Sequence, residues 1–311
     1  MNASLLRSSL SAALFCLAST VSVAETTIWQ IAEFDIPEAN QGIGVDEDHF
    51  YAVDNHTIAK YTKDGEYVDA WIGEDDGQVK HLDSAAVVDG KIYCSHSNYR
   101  YFPMTSSIEV WDAETMKHIE SHSIGIRLGS LTWLDKHDGY WWGTFANYNK
   151  EGKLPDGTKA SVPYAIHTGG NINTTLVKFN EDWQVLEGWI FPTELMEKFE
   201  LMSNSGGSWG PDGKLYITGH DLAETYQIRF PEAGSVLEVA ESISLNIRGQ
   251  GIAWDHSEEG VLYGIIRAND EEEAQGMTNR VVVFASNLTQ ENKPEECSDR
   301  KPERRHRRCE R

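Results

Sequence analysis

His81, His96 and His220 recur at matching places in a repeated pattern, with Asp83 and Asp221 close behind the first and the last of them. A neutral imidazole beside a carboxylate can move a proton, and imidazoles converging on one point can ligate a divalent metal. His96, His220, Asp83 and Asp221 are therefore the candidate catalytic residues, and His81, His96 and His220 the candidate metal ligands. Zinc would use the imidazoles, whereas calcium or magnesium would use the oxygens of Asp83, Asn98, Asn204 and Asp221. No close-spaced Cys or His motif marks a structural zinc site. Substrate contacts are expected from Gln41, Asn98, Tyr99, Asn147, Asn204, Gln250 and Arg267, the guanidinium being matched to a substrate carboxylate. Any one of these side chains taken alone reads equally as a turn cap or a water-bridged strand end. The equivalent placing of the three histidines is what argues for the set.

The elements that must hold these residues follow from an internal repeat. Five segments open alike, at 41–46, 82–89, 129–135, 206–212 and 249–255, and each ends in Asp: Asp46, Asp89, Asp135, Asp212 and Asp255. After a turn comes an apolar-aromatic run, as in His49-Phe-Tyr-Ala-Val, Lys91-Ile-Tyr-Cys and Tyr140-Trp-Trp-Gly-Thr-Phe. A third run follows, as in Thr57-Ile-Ala-Lys-Tyr and Arg280-Val-Val-Val-Phe, and four of the repeats add a fourth, such as Tyr67-Val-Asp-Ala-Trp71. Short runs of this kind between Asp, Gly, Pro and Asn turns are strands, and four per repeat make a propeller blade. The expectation is an all-β, five-bladed β-propeller of four-stranded blades. Its fifth repeat lacks an outer strand, which the run at 27–36 can supply, closing the ring and covering the open edge. Helix is expected chiefly at 193–199, with Thr193 as its cap.

Loop lengths single out one face of the disc. The turns between first and second strands and between third and fourth are mostly tight, whereas 95–106, 147–173, 193–204 and 267–279 are long and share the opposite face. Long loops inside a compact domain are usually functional. All the candidate site residues lie at strand ends on that face. The 147–173 loop, with Gly152, Pro155, Gly157, Pro163, Gly169 and Gly170, reads as a lid over the pocket mouth.

The chain has 311 residues with 27 basic and 49 acidic side chains, a formal net charge of -22. Residues 300–311 hold seven of the basic ones, so the body is more acidic still, which argues against nucleic acid or an anionic membrane as its partner. A small polar molecule or a glycan is the expected ligand. Residues 1–24 carry one Arg, an apolar run and Val21-Ser-Val-Ala24, the pattern of a cleaved signal peptide, so the mature protein is expected to be secreted or periplasmic. No stretch is long and apolar enough for a membrane span. The domain reading is 1–24 signal peptide, 25–289 propeller and 290–311 disordered basic tail. Cys94 reads as core, while Cys297 and Cys309 lie in the tail. Gly206-Gly-Ser208-Trp-Gly210 satisfies the G-x-S-x-G expression but is followed by a turn into another strand, not the helix a nucleophile elbow needs.

The repeated Gly-x-x-Trp/Val-Asp and Asp-Gly-x-Leu/Ile-Tyr pattern over 27–288 resembles exported small β-propeller proteins. Gln41-Gly42-Ile43 is similar to an opening element of plant-type glutaminyl cyclases, whose acidic motif is missing from the later repeats here. Asp83, His96, Asn204 and His220 resemble in residue type, without an exact motif match, the central carboxylate, Asn and His set of lactonase and cycloisomerase-like propellers. The resemblance implies an enzyme working on a small polar substrate in the central funnel, by hydrolysis, lactonisation or isomerisation. His96 and His220 would then transfer protons or bind metal, with Asp83 and Asp221 orienting them. The alternative is a non-catalytic module that recognises a glycan or peptide with the same face.

Overall fold

The computed structural model describes residues 25–289 except 75, 76, 127, 155 and 160–168, so the proposed leader and tail, with Cys16, Cys297 and Cys309, lie outside the described residues. Twenty strands form five four-stranded antiparallel sheets. The first sheet is β2 (Gly42–Val45), β3 (His49–Asp54), β4 (Thr57–Thr62) and β5 (Tyr67–Ile72). The second is β6 (His81–Val88), β7 (Lys91–Ser97), β8 (Ser106–Asp112) and β9 (Lys117–Gly125). The third is β10 (Ser130–His137), β11 (Tyr140–Ala146), β12 (Thr175–Phe179) and β13 (Val185–Ile190). The fourth is β14 (Gly206–Trp209), β15 (Leu215–Thr218), β16 (Glu224–Arg229) and β17 (Glu238–Ser244). The fifth holds β18 (Ala253–Trp254), β19 (Val261–Ile266) and β20 (Arg280–Ser286), and β1 (Ile28–Asp35) pairs antiparallel with β20 as its outer strand. Inner strands β2, β6, β10, β14 and β18 pack in succession around an axis, with β18 returning to β2. The chain is a five-bladed β-propeller.

Adjacent residues of the second strands explain both the ring and its composition. Phe50 faces the fifth blade and Tyr51 the second; Trp141 faces the second and Trp142 the fourth. A blade sandwiched between two neighbours buries both faces of its middle strands, so these read as continuous apolar runs instead of alternating ones. Large flat side chains fill the wedge between blades, and Trp111, Trp133, Trp141 and Trp254 are fully buried there. Cys94 belongs to the same core, between the first two blades. The Asp that ends the first and the fourth openings has a local task. Asp46 accepts from the Asp48 and His49 N–H groups and from Tyr51 Oη, while Asp212 accepts from the Lys214 N–H and Tyr216 Oη. Each thereby caps the first turn of its blade and ties down the Tyr of its second strand.

Near the axis the backbones nearly touch: a Cβ on Gly42 would stand 2.3 Å from the Asp83 carbonyl oxygen, so the repeated glycine is what the close approach requires. Helix is sparse. The helix Thr193–Lys198 starts after Pro192, which occupies the cap position without a side-chain bond, so Thr193 is its first helical residue and not its cap. A second short helix, Asp270–Ala274, lies in the loop 267–279 and carries a capping box between Asn269 and Glu272. No helix among the described residues is long and apolar enough to cross a membrane.

Candidate functional site

Strands β15 and β19 deliver the central residues to the face that carries the long loops, the second face of the disc. Past the end of β15 the chain places His220 and Asp221, and past the end of β19 it places Arg267. His220 Nδ1 lies 2.7 Å from Asp221 Oδ2, and Arg267 Nη2 donates to Asp221 Oδ1 at 2.9 Å and to the His220 carbonyl at 3.2 Å. Gln250, preceding β18, turns its carboxamide oxygen toward Arg267 Nη1 at 2.9 Å and His220 Nε2 at 3.2 Å. Gln250 is buried and holds a φ of 62°, a left-handed conformation that costs a non-glycine residue of order 1 kcal/mol. Its neighbour Gly249 has φ 61° and approaches the His220 backbone so closely that a Cβ would stand 2.3 Å from its carbonyl carbon.

A second group meets the first from blades one and two. His81 Nδ1 lies 2.5 Å from Asn55 Oδ1 and its Nε2 3.2 Å from Asp83 Oδ1; Gln41 Nε2 donates to the same Asn55 oxygen at 3.4 Å. Asp83 is buried, and its Oδ2 has no hydrogen-bond partner among the described residues. Tyr99 packs on the His81 ring at 5.0 Å and on Tyr148 at 5.0 Å, and Lys150 Nζ lies 5.7 Å from the Tyr99 ring centre. Tyr99 comes from the loop 95–106, and Tyr148 and Lys150 from the loop 147–173, so two of the long loops do reach the funnel. They are knitted together by the Phe102 N–H on the Lys153 carbonyl at 2.7 Å and the Lys153 N–H on the Arg100 carbonyl at 2.8 Å. The tip expected to act as a lid, 160–168, lies outside the described residues.

The electrostatics join these groups. Burial pushes His220 below its ordinary value, with Asp221 opposing and Arg267 and Lys150 reinforcing the fall. The His220 bond holds Asp221 below the usual carboxylate range against its own burial, with Arg267 and Lys150 contributing. Burial pushes Asp83 up, opposed by His81 and then by His220. Beside the pair lies a polar cavity of about 350 Å³ whose lining includes Asp221, Arg267, Arg248, Asp54, Asn40 and Asn269. That size suits one small molecule.

Other expected residues are placed differently. His96 turns into its own blade, accepting from the Lys80 N–H at Nε2 (3.0 Å) with Nδ1 2.8 Å from Ser107 Oγ, so it does not join His220. Its position looked equivalent, but His96 lies inside β7, paired with Leu82 and Ser107, whereas His220 lies two residues past the end of β15, so the two are not at matching places. Asn204 is buried and bonded throughout: its Oδ1 takes Trp133 Nε1 at 2.7 Å, and its Nδ2 donates to the Gly206 and Thr218 carbonyls. Asn98 staples its own loop through Thr105 and Pro103, and Asn147 donates to the Leu128 and Asn173 carbonyls. The three imidazoles do not converge, and among the described residues no group of three His, Cys, Asp or Glu side chains could hold a metal ion. Ser208 donates to Asp135 Oδ2 at 2.8 Å and accepts from the Trp254 N–H at 3.0 Å, a brace between inner strands and not a nucleophile. Asn55, Lys150 and Arg248 were not anticipated. Asn55 follows the last residue of β3, as His220 follows β15, and that equivalence was the available signal.

No protein-family model and no curated protein matches the chain. Among solved structures, a PQQ-bound aldose sugar dehydrogenase from Streptomyces coelicolor is 10% identical at a TM-score of 0.52, covering 85% of this chain and 99% of that one. A luciferin-regenerating enzyme is 12% identical with a TM-score of 0.44, covering 84% and 95%, and the WD40 propeller domain of Doa1 is 12% identical with a TM-score of 0.39, covering 84% and 97%. At such identities the likeness is one of propeller fold alone, a fold that serves enzymes and non-catalytic modules alike.

Proposed function

We propose that the protein is an exported enzyme that performs acid–base chemistry on a small polar molecule in the second-face cavity, with His220 as the proton-transfer residue. The observation carrying this reading is the half-buried imidazole clasped by Asp221, whose partners Asp221 and Arg267 line a polar cavity. The 2.7 Å contact to Asp221 keeps a proton on Nδ1, so the second ring proton is gained and lost at Nε2, where the Gln250 oxygen at 3.2 Å accepts from it. Burial keeps that ring neutral near pH 7. When Nε2 takes a proton from the substrate, Asp221 and the Gln250 oxygen accept from the two N–H groups of the imidazolium, so charge developing on the ring meets acceptors already in place. Arg267 keeps Asp221 ionised and oriented, and its guanidinium, with Arg248, gives a substrate carboxylate or polarised carbonyl a place to bind. Hydrolysis, lactonisation and isomerisation all draw on this proton transfer.

The test is turnover of a panel of lactones, esters and sugars by the wild type and by His220→Gln, with melting temperature recorded on both. The proposal expects a substrate whose kcat falls by about 100-fold or more in the variant, the usual worth of a general base, at an unchanged melting temperature. Saturable binding without turnover of any member would support a recognition module instead.

A further inference from the structure

We propose that the groove between the first and second blades is a binding site for a neutral or amino saccharide, separate from the His220 site. A cavity of about 490 Å³ lies there, lined by Trp71, Glu74, Gln78, Glu109, His118 and Ser121 among others. Its volume is that of a ligand pocket and holds a mono- or disaccharide.

The wall is rigid. Trp71 is half-buried and packs edge to face on the fully buried Trp111, with ring centres 4.8 Å apart and planes at 62°, which fixes the plane it offers to a ligand. Glu109 on β8 is 7% exposed, yet its carboxylate borders the cavity. Ser107 Oγ donates to its Oε1 at 2.6 Å and Ser121 Oγ to the same oxygen at 2.9 Å, while His118 Nε2 lies 2.8 Å from Oε2. Ser107 is in turn held by His96, 2.8 Å away. A carboxylate offers about four acceptor positions. Three are occupied by these neighbours, which leaves one for a ligand hydroxyl on a carboxylate already largely desolvated at the cavity wall. Gln78 and Glu74 stand exposed at the rim with a carboxamide and a second carboxylate.

The chemistry of the lining selects the ligand. Planar carboxylate and carboxamide groups beside an aromatic face bind vicinal hydroxyls while the ring C–H surface packs on the indole. No Lys or Arg lines the described part of the groove, and two carboxylates do, so an anionic sugar is repelled and an amino sugar favoured. A peptide strand added to the free edge of β5 would use backbone groups and leave Glu109 unused.

The experiment is saturation-transfer NMR and calorimetry on the whole protein with cellobiose, glucosamine, glucuronate and tetra-alanine as probes. Cellobiose or glucosamine should bind with a Kd of about millimolar or tighter, and glucuronate at least several-fold more weakly. Gln78→Ala, an exposed change that leaves folding intact, should weaken binding several-fold, Glu109→Gln should weaken it further, and His220→Gln should leave it unchanged. No saturable binding of either sugar, binding indifferent to Gln78→Ala, equal binding of glucuronate, or binding of tetra-alanine alone would overturn the proposal. Loss in His220→Gln would assign the sugar to the other site and overturn it as well.

Discussion

Acidification should reveal the cost of burying His96. The neutral ring uses both nitrogens, Nε2 accepting from the Lys80 N–H at 3.0 Å and Nδ1 donating to Ser107 Oγ at 2.8 Å, so a second ring proton would point at the Lys80 N–H. Burial, opposed by Glu109, lowers the imidazole to about 4. In the unfolded chain it titrates near the ordinary value of about 6.5. Between those values the unfolded state holds more protons than the native state. Stability is therefore fully present above about 6.5 and falls as pH drops toward about 4. At about 1.4 kcal/mol per pH unit, the interval is worth roughly 3 kcal/mol. Urea unfolding at unit steps of pH, on the wild type and on His96→Gln, measures it directly, because Gln keeps polar contacts and does not titrate. The stability gap between the two proteins should close by roughly 3 kcal/mol on going from neutral to about pH 4. Parallel curves would refute the reasoning, since His96 would then titrate alike in both states.

Three further outcomes are expected. Deleting residues 25–36 removes the strand that pairs with β20 and should expose that edge, giving aggregation in size-exclusion chromatography or a large fall in melting temperature; a truncated protein that melts like its parent would show that the ring does not depend on β1. Asp83→Asn should raise the melting temperature at neutral pH, and the gain should fade toward low pH, because a carboxyl raised by burial binds its proton more tightly in the native state and stability falls as pH rises through its titration. Gln250→Leu should remove the acceptor facing Nε2 and lower the pKa of His220, moving the acid limb of any pH–rate profile to lower pH, while an unmoved limb would remove Gln250 from the site.

The propeller was legible because its signal is periodic: an Asp-ended opening and an apolar-aromatic second strand recur once per blade. The face that gathers the candidate residues was legible for a related reason, since loop length alone separates elaborated from tight turns. His220, Asp221, Gln250 and Arg267 met because each follows or precedes a strand end that points at the axis. His96 failed the same test because it lies inside β7, within the ladder, where His220 lies beyond the end of β15, and sequence alone does not fix where a strand ends. Asn204 and Asn147 look like ligands in sequence and serve as buried ties in the structure, bonded to backbone carbonyls that only the folded neighbours supply. The helix Asp270–Ala274 was readable in principle from Asn269 followed three residues later by Glu272, the spacing of a capping box.

The account turns on His220 being a neutral, Asp221-bonded base. Its ring nitrogens can be followed by 15N NMR of histidine-labelled protein across a pH titration, in the wild type and in Asp221→Asn. The account predicts a pKa below the ordinary value, with the neutral ring protonated on Nδ1, and a further fall when the Asp221 charge is removed. A His220 that is already an imidazolium at neutral pH, or one whose titration ignores Asp221→Asn, would contradict it.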